Sequence, residues 1–148
     1  MKKAVVILAV LTLMGCGGSP TPNLNTPQGY RQGAIERGKR VADIVNAANA
    51  SCTKEPLDRC QQVLHEQETL YNQQPELAPL GGRPSACEHL ASNYFILLAS
   101  AQDYFKQVKT SVAQQDEVAT RQTTQERMVS FNQSWGAFIE TIQTDSCR

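Results

Sequence analysis

From Pro27 onward the apolar residues of this chain recur at three- and four-residue steps, the period of a helix with one buried face. Tyr30, Ala34, Val41, Val45, Ala48 and Cys52, with Ile44 beside them, form a first stripe. Leu57, Cys60, Leu64, Gln67 and Tyr71, supported by Val63 and Leu70, form a second that ends before Pro75. Cys87, Leu90, Tyr94, Leu97, Leu98, Ala101, Phe105, Val108 and Val112 form a third. Met128, Phe131, Trp135, Phe138, Ile139 and Ile142 form a fourth, which reads as a packing face. The pattern predicts an all-α domain with four helices.

Punctuation supports this division. Thr26 before Pro27 offers an N-cap with proline in the first turn, and Thr53 and Pro56 mark the entry to the second helix. Pro75 to Pro84, with Pro79, Gly81 and Gly82 inside it, is the clearest loop and separates two helical halves. Ser85-Ala86-Cys87-Glu88 has capping-box spacing and predicts the start of the third helix. The turn between the third and fourth helices is poorly marked, because no Gly or Pro lies between Pro84 and Gly136. Asp116 is one candidate cap, and Thr123-Thr124-Gln125-Glu126 is a competing one.

The N-terminus has a different character. Lys2 and Lys3 precede a short apolar run, Ala4 to Leu13, that is too short to span a bilayer and ends at Leu13-Met14-Gly15-Cys16. This resembles the lipobox of bacterial lipoproteins, although Met14 is bulkier than the residue usual there. The resemblance implies a signal peptide over 1–15, cleavage before Cys16, a diacylglycerol thioether on its sulfur and an acyl chain such as palmitate on its amino group. Two lipid attachments anchor stably where one chain would not. Gly17 and Gly18 follow the cysteine where an aspartate would resemble an inner-membrane retention signal, so the outer membrane is the expected location. Residues 16–27, rich in Gly, Ser, Pro and Asn, read as the lipidated cysteine and a tether, and 28–148 as the helical domain.

Cleavage would leave about 130 residues, enough for one domain with a core. The fourteen basic side chains fall to twelve with the loss of Lys2 and Lys3, against fourteen acidic ones, and this balance gives no sign of a nucleic-acid partner. Lipidation of Cys16 would also leave an even set, Cys52, Cys60, Cys87 and Cys147, in an oxidising compartment where two disulfides form. In an up-and-down four-helix bundle Cys52 and Cys60 share one end, and Cys87 and Cys147 share the other. Disulfides need Cα separations of about 4.4–6.8 Å, and the ends of helices this long are tens of ångströms apart. Only Cys52 with Cys60 and Cys87 with Cys147 satisfies that geometry. Helices three and four must then be of similar length, which puts their turn near Glu117 and favours Asp116 over Thr123.

Catalytic signatures are missing from the sequence, and the domain reads as non-enzymatic. His65 and His89 are the two histidines, and neither follows a glutamate at the spacing used by carboxylate-bridged di-iron bundles. His65 and Glu68 share a helical face that reads as solvated rather than as a metal site, and no cofactor is expected. A noncovalent haem between a histidine and Met128 has only weak grounds, and Cys52 and Cys60 are too far apart for thioredoxin-like redox chemistry. One apolar group departs from the stripes: at about 100° per residue, Ile96 points nearly opposite the core direction of the third helix, with Phe95 on the flank and Ala99 between. Phe95, Ile96 and Ala99 form a candidate partner patch.

The expected role is that of a lipid-anchored protein with a periplasm-facing binding or assembly domain and a protein partner. Its general plan resembles the small helical pilotins that escort secretion-channel subunits. An immunity or exclusion lipoprotein is the first alternative, and a metal or haem carrier the second.

Overall fold

The computed structural model describes residues 22–73, 83–144 and Cys147. Its α helices are α1 (Pro27–Lys54), α2 (Leu57–Asn72), α3 (Glu88–Ala113) and α4 (Glu117–Thr144), with a short 3-10 turn, Ser85–Cys87, leading into α3. No strand occurs among the described residues. The helices form an up-and-down bundle whose directions are fixed by bonds between named ends. Arg31 near the start of α1 donates to the Ile142 carbonyl near the end of α4 at 2.8 Å. Arg121 near the start of α4 donates to the Thr53 carbonyl at the end of α1 at 2.6 Å. The Tyr71 hydroxyl, at the end of α2, donates to the Leu98 carbonyl midway along α3 at 2.8 Å. With 16 residues against 26 for α3, α2 covers only part of that helix.

The stripes of α1 and α3 form the core as the periodicity predicts. Tyr30, Ala34, Val41, Ile44, Val45, Ala48 and Cys52 are all buried, as are Leu90, Tyr94, Leu97, Ala101, Phe105, Val108 and Val112. α2 contributes less: Cys60 and Leu64 are buried, whereas Leu57, Val63, Gln67 and Tyr71 are half-buried and Leu70 is exposed, so Leu70 does not support that stripe. In α4 the predicted face is rotated. Phe131 and Phe138 are buried, but Trp135 is only half-buried at the edge, stacked against Phe138 with ring centroids 5.7 Å apart. Its place in the core goes to threonines. Thr120, Thr124 and Thr141 are buried because each hydroxyl donates to the carbonyl four residues back, which frees the methyl group to pack. Gly38 lets α1 approach α4 closely, since a Cβ there would lie 2.5 Å from the Phe138 ring.

Two of the expected helix starts hold. Thr26 Oγ1 accepts from the Gly29 amide at 3.2 Å with Pro27 in the first turn. The Asp116 carboxylate accepts from the Ala119 amide at 2.9 Å, so Asp116 and not Thr123 caps α4. The chain turns into it through Gln115, whose φ of 57° is a left-handed conformation usually given to glycine. Two other starts differ. Thr53 belongs to the last turn of α1, where its hydroxyl donates to the Asn49 carbonyl at 2.8 Å, and α2 starts after Pro56 without a side-chain cap. Ser85 forms no capping box, because the 3-10 turn intervenes and Glu88 instead meets Arg83 at 3.2 Å. Most of the Pro75 to Pro84 loop lies outside the described residues, as do Cys16 and the half of the tether up to residue 21.

Both disulfides are present with the expected pairing, Cys52 with Cys60 and Cys87 with Cys147, each with a Cα separation of 4.5 Å. They close opposite ends of the bundle. Pro27, at the start of α1, packs its carbonyl oxygen 3.8 and 3.3 Å from the sulfurs of Cys87 and Cys147, so the second bridge also abuts the point where the tether joins the domain.

Candidate partner surface

α3 carries the residues singled out by the periodicity. Leu97 is buried, while its neighbours Phe95 and Ile96 are 36% and 50% exposed, and Ala99 is exposed on the next turn. A regular helix imposes this: residues one and two positions from a core residue, about 100° and 200° around the axis, turn away from the core. The three side chains line one open depression of about 610 Å³ together with Ser92, Arg83, Glu88 and His89. Its apolar floor is thus bordered by an ion pair, Arg83 with Glu88, and by an imidazole. Phe95 is held from behind by Tyr94, with ring centroids 6.2 Å apart in an edge-to-face arrangement. Phe95, Ile96 and Ala99 thus lie together on the exposed side of α3.

A smaller hollow of about 290 Å³ lies near the other end, between α2 and α3, lined by Gln61, Leu64, His65, Lys109, Val112 and Ala113. His65 and Glu68 do not converge there on a metal geometry. Lys109 Nζ instead donates to both Glu68 oxygens at 2.9 and 2.7 Å. Among the described residues no group of three or more His, Cys, Asp or Glu side chains is arranged to hold a metal ion. Met128 packs half-buried against the core.

Sequence reasoning placed Tyr30, Tyr71 and Tyr94 on the core stripes but missed Arg37 and Arg83, whose charges act on the phenols of Tyr30 and, for Arg37, of Tyr94. Arg37 sits seven residues after Tyr30 and four before Val41, on the core-facing stripe, and its Nη1 is buried without a hydrogen-bond partner among the described residues. Burial pushes the Tyr94 phenol up to about 12, opposed by the positive field of Arg37 and reinforced by Tyr71 and Tyr30. Burial also raises Tyr30, against Arg83 and Arg37. The available signal was the interruption of an apolar stripe by a charged residue at a core spacing.

No helix among the described residues is long and apolar enough to cross a membrane. Comparison of the chain with protein-family models, with curated proteins and with solved structures returns no match, so its chemistry must be read from its own residues.

Proposed function

We propose that this chain is an exported lipoprotein, anchored through Cys16 in the outer membrane, whose helical domain binds a protein partner through the depression around Phe95, Ile96 and Ala99 in an assembly or accessory role. The observation that carries the binding reading is the exposure of large apolar side chains on a helix whose inner face is fully packed. Folding gains nothing from them there, and apolar clusters of this kind mark interaction sites. The anchor rests on the signal-like segment ending in Leu13-Met14-Gly15-Cys16. Two disulfides at opposite ends suit a domain that works in an oxidising compartment.

Full-length chain and its Ile96→Asp variant, crosslinked in cells and isolated, test the binding role. A protein adduct present with the wild type and lost with the variant at equal abundance is the expected result. An adduct of unchanged yield would remove the patch from the account. Labelled palmitate incorporated into the wild type but not into Cys16→Ser tests the anchor, and labelling of the variant at wild-type level would refute it.

A further inference from the structure

The patch on α3 does not end at α3. Asn93, Ser100 and Asp103 lie along one row of that helix, and each bonds to α4: Asn93 Nδ2 to Thr141 Oγ1 at 2.6 Å, Ser100 to Ser134 through their hydroxyls at 2.6 Å, and Asp103 to Arg127 at 3.1 Å. Ile96 stands within this row, so the more exposed of the two large apolar residues of the patch borders the seam between the two helices. On the α4 side the matching row is Arg127, Ser130, Ser134, Ala137 and Thr141. Ser130 and Ala137 are exposed between the bonded positions, with Gln133 beside them.

Charge is absent from both walls over the same length. Leu90 to Gln102 on α3 and Met128 to Ile139 on α4 contain no Asp, Glu, Lys or Arg. The Arg127–Asp103 pair closes one end, and Arg83 with Glu88 stands toward the other. The serines inside are already engaged: Ser100 with Ser134, Ser134 also toward the Ser130 carbonyl, and Ser130 toward the Glu126 carbonyl at 3.4 Å. Covering them therefore leaves few groups without a partner, the main cost of burying polar surface.

Size selects the occupant. Twelve residues of helix extend about 18 Å, and two helices packed about 10 Å apart give a face about 20 Å wide. The resulting area, about 360 Å², is under half of the roughly 800 Å² per partner of a stable interface between globular proteins. A second copy of this bundle would leave most of its own surface unused. A single helix laid along the seam, with small Ala99, Ala137 and Ser130 admitting its close approach, matches both length and width. We infer that the α3–α4 seam around Ile96, Ala137, Ser130 and Gln133 is a groove for one amphipathic helix of the partner, uncharged on its contact face over about three turns. This rests on the protein-binding reading and adds the second wall and the chemistry of the occupant.

Photo-crosslinking in producing cells tests it, with benzoylphenylalanine placed in the full chain at Ile96, at Gln133, and at Val118 and Lys106 as positions off the groove. The expected result is that Ile96 and Gln133 capture the same segment of one partner protein. Its crosslinked residues should be spaced by three or four and free of charge on that face. Ala137→Glu should lower the adduct yield at Ile96 at least tenfold while leaving the melting temperature of the purified domain unchanged. Adducts at Ile96 and Gln133 to different segments, to a second copy of this chain or to lipid would overturn the groove. Protein adducts confined to Val118 or Lys106 would overturn it while sparing the protein-binding role, and no protein adduct at any position would sink both.

Discussion

The two helix pairs of this bundle are joined by opposite means. α1 and α2 turn through two residues, Glu55 and Pro56, beside the Cys52–Cys60 bridge, and Val45, Ala48, Cys52, Cys60 and Leu64 meet as apolar or sulfur surface. α3 and α4 turn through a capped loop with no covalent link nearby, and much of their contact is a ladder of hydroxyl, amide and charged groups from Ser111–Thr120 to Asn93–Thr141. Their disulfide closes the far end, joining cysteines sixty residues apart in sequence. A pair held by apolar burial must hide its contact face, whereas a pair held partly by directional bonds can leave apolar side chains outside. Phe95 and Ile96 stand exposed on the second pair, and the proposed partner surface is built on them.

The largest effect should come from the aromatic residue that joins the polar pair to α1. Phe138→Ala removes the ring that fills the space over Gly38 and should destabilise by about 3–5 kcal/mol in denaturant unfolding. Next are the bridges. Replacing Cys87 and Cys147 together should cost more than replacing Cys52 and Cys60, because closing a sixty-residue loop removes about 4 kcal/mol of unfolded-chain entropy and the short loop about 2.5. Equal losses would show that the two pairs are not braced differently. Asp116→Ala removes the side-chain N-cap of α4 and should cost about 1 kcal/mol. Tyr104→Phe should instead stabilise by about 1 kcal/mol, since the Tyr104 hydroxyl is buried without a hydrogen-bond partner among the described residues.

Alkaline titration reads the same core. Burial raises the phenols of Tyr30, Tyr71, Tyr94 and Tyr104 above their ordinary value of 10. The folded state holds these protons more tightly than the unfolded chain, so their contribution is complete below pH 10. It is lost as pH rises from 10 through the Tyr94 value of about 12. The melting temperature should be flat from neutrality to about pH 9 and fall above 10.

How much of this was visible in the sequence follows the same division. The α1 and α3 stripes were legible because aliphatic and aromatic residues at helical spacing have one common fate. α4 was misread around Trp135 because its core face contains Thr120, Thr124 and Thr141, whose hydroxyls are satisfied inside the helix and leave no trace in an apolar pattern. Its start was nonetheless found, since the length required by the Cys87–Cys147 bridge selected Asp116 over Thr123. The turn itself hid behind Gln115, which adopts a left-handed conformation without glycine. Phe95, Ile96 and Ala99 were legible as residues opposite the core. The α4 wall was not, because Ser130, Gln133 and Ala137 are ordinary surface residues until the seam bonds place them beside Ile96.

Adjacent residues on α3 offer the most direct test of a bundle whose inner face holds the fold and whose outer face serves a partner. Leu97→Ala and Ile96→Asp are compared for thermal stability of the purified domain and for partner adduct in cells. Leu97→Ala should lose about 2–5 kcal/mol through the cavity it opens. Ile96→Asp should stay within about 0.5 kcal/mol of wild type, because a carboxylate on an exposed helical face remains solvated, and yet lose the adduct. An Ile96→Asp domain that melts far below wild type, or one that keeps the adduct at full yield, would contradict the account.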